Sequence, residues 1–180
     1  LLDRHILQSE VGGYVCGAFF NKDALRVEHA IVSSMDDIAP LRQSKYVQSD
    51  IEGILPKIRT ILEEENRPVL FVGCPCQIAA LDSFLGKSYE QLYTIDFLCG
   101  GVPSPKVFEK YLRETCNLKA IENVTCRPKA FGWDPFWMEI TNKDGSVEYR
   151  NIKDDPYEQM FHSLMSGRKS CFTCVFSTFP

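Results

Sequence analysis

Val69 to Val72 is an unbroken apolar run that closes on a glycine, and from Pro75 the apolar residues take a helical period, with Ile78, Leu81 and Leu85 on one face. This predicts a buried strand turning sharply into a helix that ends at Gly86, a residue suited to a left-handed C-cap. The pattern then repeats. Leu92 to Cys99 reads as a strand, and Ser104 caps a helix that starts at Pro105 and buries Val107, Phe108, Tyr111 and Leu112. Two successive strand–helix units, 69–86 and 92–117, predict the α/β class: a mixed sheet flanked by helices.

Ahead of these units, Leu2, Ile6 and Leu7 fall on one face of what reads as the remainder of a helix, so the chain is expected to be part of a longer polypeptide. Gly12 to Phe20 reads as a strand and Leu25 to Val32 as its antiparallel return, with Asn21 to Ala24 as the turn. Ser34 is a candidate cap for a short helical turn. Ser49 and Glu52 have the spacing of a capping box ahead of an apolar face made by Ile51, Ile54, Leu55, Ile58, Ile61 and Leu62. Pro56 either kinks that helix or restarts it.

Beyond Asn117 the pattern changes to three strand candidates, Asn123 to Arg127, Phe136 to Thr141 and Val147 to Ile152, the last two joined through Asp144-Gly145. Pro156 opens a helix with Tyr157, Met160, Phe161 and Leu164 inward, closed by Gly167. The expected division is an α/β core, 1–117, and a C-terminal α+β segment, 118–180, that carries a hairpin and a cysteine pair. Phe131, Trp133, Phe136 and Trp137 form an aromatic stretch suited to a lid or a partner-docking surface.

Composition narrows the chemistry. The 180 residues carry a formal charge of −4, with no long basic run, so nothing points to nucleic acid. No apolar run is long enough to span a membrane. Eight cysteines are many for a chain with a periodic apolar core that needs no covalent staples. Their placement at strand ends fits metal or iron–sulfur ligation in a reducing compartment, hence a cytoplasmic protein. Cys16, Cys116 and Cys126 read as small buried hydrophobes.

Cys74 and Cys76 sit where the first strand passes into a helix, and Cys99 ends the next strand; parallel neighbours would open both turns onto one sheet edge. Cys171 and Cys174 form a C-x-x-C, compatible with a redox dithiol, half a zinc site or part of an iron–sulfur site. They follow a helix and a glycine, which disfavours a thioredoxin-like enzyme and leaves the strand-end cysteines as the partners to complete a site. Gly100-Gly101 lacks the spacing of a dinucleotide or P-loop fingerprint. The polar stretch Arg42 to Asp50 reads either as an ordinary connection or as a set of donors, Ser44, Lys45, Gln48 and Ser49, for a phosphate or an isoalloxazine edge.

The segments "GGYVCGAFF", "SKYVQSD", "VLFVGCPCQIAAL", "IDFLCGGVPSPKVFEKYL", "CRPKAFGW" and "SCFTCVF" together resemble the beta subunits of deazaflavin-coenzyme-reducing hydrogenases and related dehydrogenases, an iron–sulfur flavoprotein family. The resemblance implies an α/β flavoprotein that binds one [4Fe-4S] cluster and FAD and passes electrons between cluster, flavin and a soluble hydride carrier. It implies Cys76, Cys99, Cys171 and Cys174 as cluster ligands, with Cys74 a bystander, and Ser44, Lys45 and Tyr46 at the flavin, to which Gln48 and Ser49 are added as polar neighbours. The implied partners are a ferredoxin-like donor or partner oxidoreductase subunit and a small-molecule hydride carrier. Helix N-termini at Pro75 and Pro105 would favour the more negative, reduced cluster. Gly100 stands where the family commonly has histidine. The alternative is a zinc-stabilised or metal-free protein-binding domain without catalysis.

Overall fold

Strands β1 (Tyr14–Asn21) and β2 (Arg26–Val32) form the expected antiparallel hairpin, in a computed structural model that describes residues 2–132 and 136–176. The Asn21 carboxamide oxygen accepts from the backbone N–H groups of Asp23 and Ala24, which fixes the turn. Strands β3 (Val69–Val72) and β4 (Leu92–Ile95) add in parallel, giving a mixed sheet of order β2-β1-β3-β4.

Alternation along β3 buries both sheet faces. Val69 and Phe71 pack with Ile58, Leu62, Leu81 and Leu85 from helices α2 (Leu55–Thr60) and α3 (Pro75–Leu85) and the turns after α2, while Leu70 packs with Ile6 and Leu7 of α1 (Leu2–Leu7) and with Ile38. Gly86 adopts the left-handed C-cap that its position predicts, at φ 71°. Pro56 sits in the first turn of α2 and so restarts the helix rather than kinking it.

Three expectations need correction. The Ser49–Glu52 capping box does not form: the Ser49 hydroxyl accepts from Gln77 instead, and Asp50 accepts from the Glu52 N–H at 2.9 Å. The second strand stops at Ile95, short of Cys99, because its neighbour β3 has ended; the last rung is Gly73 N–H to the Ile95 carbonyl at 3.1 Å. Leu164 is not on an inward helical stripe, since it lies beyond the helix and is exposed.

Helix α4 (Pro105–Thr115) starts on a Ser104 cap. A second, antiparallel sheet follows, β5 (Ile121–Cys126), β6 (Trp137–Asn142) and β7 (Val147–Asn151), with the β6–β7 turn at Asp144-Gly145. Helix α5 (Pro156–His162) is capped by Asp155, whose carboxylate accepts from the Glu158 N–H at 2.8 Å. Phe108, Tyr111 and Leu112 of α4 share one core with Phe20 and Val27 of the hairpin, Val124 and Ile140 of the second sheet, and Tyr157 of α5. Trp133, part of the expected aromatic stretch, lies outside the described residues. No helix among the described residues is long and apolar enough to cross a membrane.

Candidate functional site: a cysteine-lined cavity beside a larger one

Because β3 and β4 run parallel in register Val72 to Ile95, the chain beyond both strands emerges at one sheet edge. Cys74 is the N-cap of α3 and Cys76 lies in its first turn. The turn is locked by the buried Gln77, whose side-chain oxygen accepts from the Cys74 N–H at 2.9 Å while its amide nitrogen donates to the Ser49 carbonyl and hydroxyl at 3.1 and 2.9 Å. Beyond β4, Cys99 leads into a loop tied to the C-terminal segment by a bridge between Pro103 and Gly167 and by the Arg168 N–H on the Val102 carbonyl, 3.2 Å.

These ties gather Cys74, Cys76, Cys99, Cys171 and Cys174 around one cavity of about 80 Å³. Gly101 permits the approach: its φ is +113°, and a Cβ there would stand 3.2 Å from the Cys171 Cβ. A hydrogen bond from Cys74, with help from the Gly101 N–H, pushes the Cys99 thiol down, whereas the same bond and burial push Cys74 up. Burial, then the neighbouring Cys99, raises Cys76. Cys74, expected to be a bystander, thus touches Cys99 directly. Cys16 and Cys126 are fully buried and do not line this cavity, Cys16 bordering a larger one and the Cys126 thiol lying against Glu158, and Cys116 is half-buried after α4.

Among the described residues no group of three or more His, Cys, Asp or Glu side chains is arranged to hold a metal ion. The cysteines that line the small cavity would offer thiolate sulfur, a donor type shared by iron–sulfur clusters and structural zinc.

A second cavity, about 750 Å³, falls within the size range of organic-cofactor sites. Ser44, Lys45, Tyr46, Ser49, Arg127 and Phe161 are among the residues that line it. Burial lowers Lys45 to about 8, and its ammonium donates to the carbonyls of Pro40 and Arg42 at 2.8 and 2.5 Å. Tyr46 stacks flat on Phe161, ring centroids 4.0 Å apart. Gln48 lies instead at the small cavity, where its side-chain oxygen accepts from Arg168. The two cavities share a wall of Cys74, Gln77, Cys99, Gly101 and Val102.

Sequence reasoning missed Gln77, Arg127 and Phe161. Gln77 had a usable signal, a polar residue on the inward side of a helix otherwise buried by Leu81 and Leu85; Phe161 was read only as core.

Cysteines from the turn after β3, the loop beyond β4 and the C-terminal segment, gathered around one cavity beside a ligand-sized one, define an α/β protein with a cysteine-lined centre. The model of a family described as the C terminus of the coenzyme F420 hydrogenase/dehydrogenase beta subunit matches residues 66–178, and the chain belongs to that family. The match contains the segments with Cys76, Cys99, Cys171 and Cys174; the segments 12–20 and 44–50 precede it. Among solved structures, a chain of the F420-reducing [NiFe] hydrogenase complex from Methanosarcina barkeri superposes with a TM-score of 0.58 at 13% identity, over 94% of this chain and 56% of that one. At such identity the likeness is one of fold, and the chain spans little more than half of that relative's length. No curated protein matches.

Proposed function

We propose that the chain forms the cluster- and flavin-binding part of an oxidoreductase subunit that passes electrons between a [4Fe-4S] cluster, FAD and a soluble hydride carrier such as a deazaflavin coenzyme. One observation carries this reading: the cavity bordered by five cysteines and the larger cavity share a wall, so groups held in the two would be near neighbours. Family membership supports it, because the family is one of hydrogenase and dehydrogenase subunits.

In this reading Cys76, Cys99, Cys171 and Cys174 hold the cluster. The cluster supplies one-electron transfer, and a flavin converts single electrons into hydride equivalents. The chain supplies position and charge. The Cys74 thiol donates toward Cys99 sulfur, and the α3 N-terminus directs backbone N–H groups at the site, both of which favour negative charge there. At the larger cavity Lys45 and Arg127 offer positive charge to phosphates, and Ser44 and Tyr46 border the same space. Electrons would arrive from a ferredoxin-like donor or a partner subunit.

Anaerobically reconstituted full-length protein is expected to carry about four iron and four sulfide per chain. It should bind FAD with a Kd at or below about 1 μM. Cys76→Ser and Cys99→Ser should each lose the iron. One zinc and no colour would establish the structural alternative, and a loaded protein that binds no FAD would overturn the flavoprotein reading.

A further inference from the structure

Glu158, in the first turn of α5, is 0% exposed; no nitrogen donor is in hydrogen-bond geometry with either carboxyl oxygen, and its hydrogen-bond neighbour is the buried Cys126 thiol. An ionised carboxylate so placed exchanges its hydration for one weak thiol donor, so such a group requires an explanation. One helical turn on, His162 Nε2 lies 3.2 Å from Glu158 Oε2 and has no hydrogen bond of its own. The imidazole is held by Phe136, stacked at 3.9 Å, and by the edges of Tyr46 and Phe161 at 5.4 and 5.2 Å. Tyr46 and Phe161 line the larger cavity, so the pair stands one ring behind its wall.

The surroundings favour a protonated carboxyl over an ion pair. Asp155, the helix cap, repels a second negative charge more than the weak hydrogen bond from the buried Cys126 thiol offsets. Arg127, at the end of β5, favours ionisation of Glu158 but opposes protonation of His162. Burial dominates, raising Glu158 to about 7 and lowering His162. The arrangement that satisfies both side chains has a proton on Glu158, shared with a neutral imidazole.

We propose that Glu158 and His162 form a proton-holding pair, partly protonated at rest, that fills its remaining vacancy for one proton when negative charge enters the larger cavity. The proton enters from solvent at His162, whose side chain is 22% exposed, and the O–H bond forms on Glu158. The coupling rests on the electron-transfer reading: a hydride equivalent is two electrons and one proton, so electrons delivered singly need a nearby group that binds protons as charge accumulates. By linkage, the protonated pair makes a bound acceptor easier to reduce. Neither residue lines the larger cavity, so both act as positioning residues for charge.

Two measurements on the full-length protein test this. In the oxidised protein without flavin, difference infrared spectroscopy between about pH 5 and 8 should show one protonated carboxyl that titrates near neutrality and disappears in Glu158→Gln. His162→Phe, which keeps the stacking, should shift that titration. A Glu158 that is ionised throughout the range overturns the pair, whatever the protein binds. With FAD bound, the midpoint potential should fall with pH through the neutral range less steeply in Glu158→Gln than in the wild type. Equal slopes overturn the coupling, whereas failure to bind FAD overturns the electron-transfer reading and with it the coupling, leaving the infrared result to decide the pair.

Discussion

Gln77 fills, at residue scale, the role that spacing suggested for Ser49. Its carboxamide satisfies the Cys74 N–H and donates twice to Ser49, so it ties the cysteine turn to the polar segment that borders the larger cavity. Gln77→Leu leaves a buried hydroxyl, a carbonyl and an N–H without partners and is expected to cost about 2–4 kcal/mol, read as a lower urea midpoint. Gly101→Ala meets two obstacles, a φ of +113° and the Cys171 Cβ at 3.2 Å. It should cost about 1–2 kcal/mol and reduce retained iron, as measured by metal analysis after gel filtration. The turn that carries Cys76 was legible because a change of hydrophobic period marks the end of β3, whereas Cys99 lies in the loop beyond the end of β4 rather than at a strand end. The partners of Ser49 and Lys45 were not: both side chains are engaged by groups that no local spacing reveals, Gln77 in one case and two nearby carbonyls in the other.

Elements were more legible than contacts. The described strands and the long helices formed where period, caps and glycines put them, because those signals are local. The overlong second strand failed for a non-local reason: a ladder continues only while its neighbour does, and β3 gives way to α3 at Gly73. The two capped helices should respond unequally to loss of their caps. Ser104 accepts from Lys106 N–H at a long 3.4 Å on an exposed turn, so Ser104→Ala should cost about 0.5–1 kcal/mol. Asp155 caps α5 and also accepts from the buried Tyr111 hydroxyl, which in turn accepts from Arg150 at 2.8 Å. Asp155→Ala removes the cap and takes the carboxylate acceptor from the Tyr111 hydroxyl, which keeps only the bond it accepts from Arg150 and a weak sulfur contact, for an expected loss of about 2–3 kcal/mol. Comparable denaturation midpoints for the two variants would show that the Tyr111 network adds nothing.

At the scale of the whole molecule, residues 44–50 act as a tie between parts far apart in sequence. Ser44 pairs with Cys126 of the second sheet, the Tyr46 carbonyl accepts from the Tyr157 hydroxyl at 2.7 Å, Ser49 holds α3, and Asp50 pairs beside β2. Such a segment transmits the charge state of α5 to global stability. Glu158 has a folded pKa raised by burial from 4.5 to about 7, so its contribution is fully present below 4.5 and is lost as pH rises through 7, a change of at most about 3 kcal/mol. His29, also buried, is lowered by burial, so its contribution is present above the ordinary imidazole value and is lost as pH falls. His162, lowered likewise, slopes the same way as His29. The slopes oppose one another between about pH 5 and 7, and the wild-type midpoint should be flat or fall slightly across that range. Glu158→Gln removes one side of the balance, so its midpoint should rise with pH over the same interval and exceed the wild type's most at pH 8. Parallel curves for the two proteins would mean that Glu158 is already ionised in the fold at pH 5, and that the buried carboxylate has found compensation elsewhere.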